Sequence, residues 1–147
     1  MTKYQKGFTK KKALLVVFLI AALLIALILL RGRASGEDLS STEGRQAYLS
    51  TLGWEIDPAS ESTKRVLIPR RLEGTLADYN DMQKAQGFDL SRHTGEQCDQ
   101  VTYLVTNYPA QDQTVLVTLY IQGKRLIAGD IHSTSLNGFM HGLKEKP

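Results

Sequence analysis

Residues 13–30, ALLVVFLIAALLIALILL, contain no polar side chain. An uninterrupted apolar run of this kind is expected to be a membrane span. As an α-helix rising about 1.5 Å per residue it would cover about 27 Å, and slight thinning of the bilayer or snorkelling of Arg31 would make up the rest. Lys3, Lys6, Lys10, Lys11 and Lys12 precede the run with no acidic residue among them, whereas Arg31 and Arg33 are followed closely by Glu37 and Asp38. The positive-inside bias therefore keeps residues 1–12 in the cytoplasm as a basic tail suited to anionic lipid, and places the chain beyond the span outside the cytoplasmic membrane. A cleaved signal peptide is the alternative, because Arg33-Ala34-Ser35-Gly36 offers some small residues. The run is longer than a usual signal-peptide core, and two arginines stand where a peptidase requires small neutral residues, which favours an uncleaved signal anchor.

That topology changes the meaning of the charge. The chain of 147 residues has 18 Lys+Arg against 15 Asp+Glu, and setting aside the five N-terminal lysines leaves 13 against 15, a balance of −2 for residues 31–147. Nucleic-acid binding needs a basic face on the folded domain itself and is not expected. Cys98 is the only cysteine, so no internal disulfide exists and the exported part must be held by its core. The thiol is either a small buried side chain, which cysteine's usual burial favours, or a link between two chains.

Residues 31–39 read as a short polar linker and 40–147 as one domain. Ser40-Ser41-Thr42-Glu43 has capping-box spacing, predicting a helix capped by Ser40 that presents Tyr48, Leu49 and Leu52, stops at Gly53 and packs Trp54 back on Leu49. After Asp57-Pro58 and a polar stretch, Arg65–Ile68 is a short β-rich run stopped by Pro69. A second helix is predicted with Leu72, Leu76, Tyr79 and Met82 on its apolar face, ending at Gly87. The stops GWEI (53–56) and GFDL (87–90) share an order of residue types that common capping physics explains without duplication. From Gln97 the apolar period becomes two, through Val101, Tyr103, Val105, then Val115, Val117, Leu119, Ile121, then a last strand over 126–131. The expected fold is α+β: an N-terminal transmembrane helix, then a small domain in which a three-strand antiparallel C-terminal meander is covered on one face by two helices.

The segment GDIHSTSLNGFMHGL (129–143) concentrates the chemistry-bearing residues. A Ser/His/Asp arrangement would need Asp130, His132 and Ser133 to converge, yet strand parity puts Asp130 and His132 on one face and Ser133 on the other. A metal site would have to collect His132, His141 or His93 with Asp130, and the spacing matches no local ligand pattern. Thiol chemistry at Cys98 is disfavoured by Asp99 and Glu96 beside it. Phe139, Met140 and Leu143 are expected to close the core, the alternative being an exposed apolar patch for a partner. Arg70 and Arg71 form either a solvated surface or a contact for an acidic or phosphorylated partner. Ala22 and Ala26 have the small-xxx-small spacing of helix pairing in membranes.

The motifs LGWEI (52–56), YNDMQKAQGFDL (79–90), NYP (107–109), GKRLIAGDI (123–131) and LNGFMHGL (136–143), in this order behind an apolar run, resemble a bacterial domain-of-unknown-function family of small single-pass membrane-anchored proteins. The resemblance covers residues 47–143 and implies no activity and no catalytic residues. It also implies that a cysteine is common where His132 stands, which argues against an essential imidazole there.

The sequence thus predicts a membrane-anchored extracytoplasmic domain acting as a binding or interaction module, with Asp130, His132 and His141 as candidate ligand-binding residues and a protein at the cell surface as a candidate partner. No catalytic residue, metal ligand or cofactor is assigned. The alternatives are a hydrolase or metal-dependent enzyme built on Asp130, His132 and His141, and a regulatory or structural membrane subunit. An enzyme requires His132 or His141 to meet Asp130 in a pocket with a nucleophile or donor; a binding module requires an apolar patch without that convergence.

Overall fold

The structure is a computed structural model and describes Val17, residues 20–23, 38–109 and 112–147. The chain divides into two compact units, Met1–Gly36 and Glu37–Pro147. In the first, the described residues are helical and the side chains of Val17, Ile20 and Leu23 are exposed. The rest of the expected span and the expected basic tail lie outside the described residues, and no helix among the described residues is long and apolar enough to cross a membrane.

In the second unit five strands form one antiparallel sheet in sequence order: β1 (Ile56–Leu67), β2 (Gln97–Val105), β3 (Val115–Gln122), β4 (Arg125–Ser133) and β5 (Met140–Gly142). Helix α1 (Thr42–Thr51) precedes β1, and α2 (Thr75–Ala85) with a 3-10 turn (Leu90–His93) stands between β1 and β2. The expected meander is β2, β3 and β4, the centre of the sheet. Its two-residue β3–β4 turn has Gly123 at φ 61°, the positive φ a tight hairpin requires. Register sets Tyr103 opposite Val117 and Val117 opposite Ile131. This face forms the main core with Ile56, Val101, Val105, Leu119, Leu49, Trp54 and Leu143.

Both helices end as their glycines predict. After α1, the N–H of Trp54 bonds the Leu49 carbonyl at 2.9 Å and that of Gly53 bonds Ser50 at 2.9 Å. After α2, Phe88 bonds Gln83 at 3.0 Å and Gly87 bonds Lys84 at 3.0 Å. These paired bonds, with Gly53 and Gly87 at positive φ, are the Schellman arrangement.

The structure corrects five expectations. The cap of α1 is Ser41, whose hydroxyl accepts from the Gly44 N–H at 3.1 Å, while the Ser40 hydroxyl bonds Asp38. A Cβ at position 44 would collide with the Asp38 carbonyl, so a glycine there lets the incoming chain pass close to the first turn. That chain carries Leu39 into the core, with its N–H on the Lys124 carbonyl at 3.2 Å.

The second correction is β1, which is one long strand rather than a short run at Arg65–Ile68. An edge strand pairs on one side only, and its irregularity between Asp57 and Ser62 absorbs Pro58. There the Ser60 hydroxyl accepts the Leu104 N–H at 2.8 Å. Glu61 enters a half-buried network in which the Arg45 guanidinium (2.8 Å), the Thr42 hydroxyl (2.6 Å) and the Tyr103 hydroxyl (2.7 Å) all donate to its carboxylate. The stretch after Asp57-Pro58 is therefore polar because its side chains have partners on β2 and on α1.

Third, the helices lie on opposite faces of the sheet. α1 covers the main core; α2 packs on the other face, where Cys98, Ala128, Ile68, Leu90 and Ile127 form a smaller cluster with Val66, Leu72, Tyr79 and Tyr120. Both sheet faces carry apolar residues at this end, so both need cover. Fourth, the fully buried side chains of α2 are polar: Asn80 and Gln83 are buried, as is Gln86 just beyond, while Tyr79 and Met82 are half-buried and Leu76 is exposed. Fifth, the C-terminal plug contains a fifth strand; Phe139 just before it packs against the core and Leu143 just after it is fully buried, but Met140 within it is exposed. Trp54 Nε1 donates to the Leu143 carbonyl at 2.6 Å and fastens this segment.

Candidate functional site

Strand β4 divides the candidate residues. Asp130 and His132 point to the α2 side of the sheet, and His132 Nδ1 lies 2.7 Å from Asp130 Oδ1. The other carboxylate oxygen accepts the Tyr79 hydroxyl of α2 at 2.7 Å. Asp130 is thus 2 % exposed with both oxygens engaged, which is how a buried carboxylate is tolerated. The hydrogen bond to Asp130 raises the His132 pKa above its ordinary value, against the opposing effect of burial. Burial, reinforced by the Asp130 charge, raises the Tyr79 phenol well above its usual range and pushes Tyr120 up to about 12. Both phenols therefore stay protonated at neutral pH.

Ser133 points the other way, where its hydroxyl donates to Gln113 Oε1 at 2.7 Å. The Asp130, His132 and Ser133 side chains do not assemble. His141 is opposite Ile131 in the β4–β5 register and so shares the main-core face. It is held among aromatic rings, with Phe139 at 5.6 Å and Tyr108 at 5.9 Å between centroids. Its Nε2 lies 3.1 Å from the Tyr108 hydroxyl and its Nδ1 2.9 Å from the Gly142 carbonyl. His132 and His141 therefore stand on opposite faces of the sheet, and a site using both is not formed. His93 lies elsewhere, beside Glu96 at 3.1 Å. Among the described residues no group of three His, Cys, Asp or Glu side chains is arranged to hold a metal ion. Cys98 is buried, and burial and then Asp99 raise its thiol pKa.

The Asp130 and His132 pair forms part of the floor of a groove of about 560 Å³ between α2 and the sheet, a size typical of small-ligand sites. Gln100, Thr118 and Tyr120 complete the floor; Leu67, Pro69, Leu72, Leu76 and Met140 are among the walls. The floor is largely self-satisfied: Gln100 Nε2 donates to the Tyr120 hydroxyl at 3.1 Å, and the hydroxyls of Thr102 and Thr118 meet at 3.2 Å. A second recess of equal volume is lined by Lys84, Phe88, Asp89, Arg92 and Arg125, but its basic side chains are exposed ones on the surface.

Sequence parity brought Asp130 and His132 together correctly. It did not reveal Tyr79, which read as an apolar helix residue, nor Thr118, which only the Thr118 to Asp130 register places at the site. The motif residues serve the architecture. Asn80 accepts the Leu90 N–H at 2.7 Å, Asn107 holds Glu55 N–H and the Gly53 carbonyl, and Gln83 and Gln86 bind the backbone of β4 and of the C-terminal segment.

No curated protein and no solved structure matches the chain. A family described as a domain of unknown function, DUF4830, matches residues 48–131, from the middle of α1 to Ile131 in β4, so that Asp130 lies inside the matched region and His132 and Met140 just beyond it. With more than half of its length matched, the chain belongs to the DUF4830 family.

Proposed function

We propose that this protein is a single-pass, membrane-anchored binding module whose DUF4830 domain works outside the cytoplasmic membrane through the groove between α2 and the sheet. One observation carries the reading. Among the described residues of Glu37–Pro147, the large apolar side chains left exposed are Leu67, Leu76, Met140 and Leu136, and the first three line this one groove. Exposed apolar side chains are ordinary singly; their concentration around a recess with a buried polar floor marks an interaction site. A non-catalytic role agrees with a floor whose carboxylate is occupied and with Ser133, next to His132 in the chain, facing away. The anchor is supported by the apolar run, its flanking charges and the exposed Val17, Ile20 and Leu23.

The test is site-specific photo-cross-linking in intact cells, with p-benzoyl-phenylalanine placed at Leu76, at Met140 or at the fully exposed Leu136. The expected result is an adduct of the same discrete mass from Leu76 and Met140 and none from Leu136. Absence of adducts from both groove positions, or the same adduct from Leu136, overturns the reading.

A further inference from the structure

We propose that the groove takes a linear, singly charged anionic amphiphile, an alkyl carboxylate, whose head group bonds His132 Nε2 while its chain lies against Leu72, Leu76 and Met140. This deepens the reading of the groove as a binding site and rests on it.

The polar atoms on offer decide the head group. Asp130 is spent on Tyr79 and His132 and is nearly inaccessible, so a cationic head group such as an ammonium finds no free carboxylate there. The hydroxyls of Tyr79 and Thr118 and the Nε2 of Gln100 are engaged within the floor. His132 differs. Its Nδ1 is fixed on Asp130, which orients the ring, and Nε2 has no hydrogen-bond partner among the described residues. The hydrogen bond to the buried Asp130 carboxylate favours the imidazolium form, in which both nitrogens donate, so Nε2 offers the groove a charge-assisted donor seeking an anionic acceptor.

The surroundings share that sign. Arg70 and Arg71 flank the Pro69 and Leu72 wall; both are exposed, Arg70 has no ion pair among the described residues, and Arg71 has only a 3.7 Å contact with Glu73. The walls settle the rest of the ligand. Leucine, proline and methionine side chains bind an apolar body without direction, and methionine adapts to a flexible chain. An apolar chain ending in a carboxylate meets both demands.

The full chain in phosphatidylcholine nanodiscs, carrying 13C-labelled histidine and methionine, allows the test by NMR, because the three histidines and three methionines give few signals. Sodium octanoate is the probe, with octan-1-ol and octylammonium as matched chains with other heads. Octanoate is expected to shift the His132 ring and Met140 methyl signals saturably while leaving His93 in place. Its affinity should exceed that of either control by about tenfold or more, the worth of one charge-assisted hydrogen bond, and His132→Gln should remove that margin. Equal affinity for octan-1-ol, or an unchanged octanoate affinity in His132→Gln, overturns the carboxylate assignment while leaving the groove in use. If none of the three probes moves Met140 or His132, the amphiphile proposal fails, and the cross-linking result alone then judges the groove as an interaction site.

Discussion

The side-chain amide of Gln83 meets both backbone polar groups of Gly129: Nε2 donates to the carbonyl at 3.0 Å and Oε1 accepts the N–H at 2.9 Å. The β4–β5 ladder stops at Asp130 and Gly142. At the next position Gln86 bridges the strands, donating to the Gly129 carbonyl at 3.0 Å and accepting the Leu143 N–H at 2.6 Å. Two side chains at the C-terminal end of α2 thus extend the sheet where its last strand ends. A glycine at 142 permits this approach, because a Cβ there would lie 2.6 Å from Gln86 Cδ, and one at Gly129 would lie 2.6 Å from Leu143 Cδ1.

Gln83→Leu leaves the Gly129 N–H buried without a partner. The expected loss is about 2 kcal/mol, lowering Tm by about 10 °C, read by thermal unfolding of the full chain. Gln83→Glu keeps the acceptor but loses the donor and buries a charge, so it should be at least as damaging. A change within error for both variants would show that these bonds contribute nothing.

The His132 ring should titrate with a midpoint above the ordinary value of 6.5, because Asp130 holds the imidazolium. The groups facing the ring are Asp130 on its own strand, with Tyr79 of α2 and Tyr120 of β3 beyond it, and the two phenols remain neutral in this range. A raised folded-state pKa means that the folded protein binds the proton more tightly. The added stability is fully present below 6.5 and disappears as pH rises through the folded value. Histidine NMR should show the elevated midpoint, and Asp130→Asn should bring it down; a wild-type midpoint at or below 6.5 contradicts the pairing.

Glu61 predicts the opposite pH dependence. Burial disfavours its charge, but hydrogen bonds from Thr42, Tyr103 and Arg45 together outweigh it and hold the pKa at about 2, against an ordinary 4.5. Its stabilisation is therefore complete above pH 4.5 and is lost as pH falls toward 2. Glu61→Gln should flatten this part of the stability curve, and Arg45→Met, which strands the carboxylate beside Tyr103, should cost about 3 kcal/mol at neutral pH. Identical acid unfolding of wild type and Glu61→Gln would refute the assignment.

Location is testable through thiols. Cys98 is 3 % exposed and Leu136 fully exposed. A membrane-impermeant maleimide added to intact cells should label Leu136→Cys and leave the wild-type protein unlabelled until it is denatured. Labelling of Leu136→Cys only after lysis would place the domain on the cytoplasmic side.

Local patterns announced the elements. The period-two residues of β2, β3 and β4, the glycines that end α1 and α2, and the opposite directions of Asp130 and Ser133 all follow from backbone geometry within a few residues. For that reason the meander and the Asp130 and His132 part of the groove's polar floor were legible in the sequence. What local pattern could not carry was every relation between distant segments. The stretch at Asp57–Lys64 is polar because Glu61 has partners on α1 and β2, and Gln83 and Gln86 are buried because β4 and the C-terminal segment present unpaired backbone to them. A polar side chain reads as surface until its partner is known, since burial is tolerated only when hydrogen bonds replace water. Tertiary structure alone therefore decided which face of α2 turns inward, that Leu76 stays outside, and that Tyr79 meets Asp130 beneath an apolar groove.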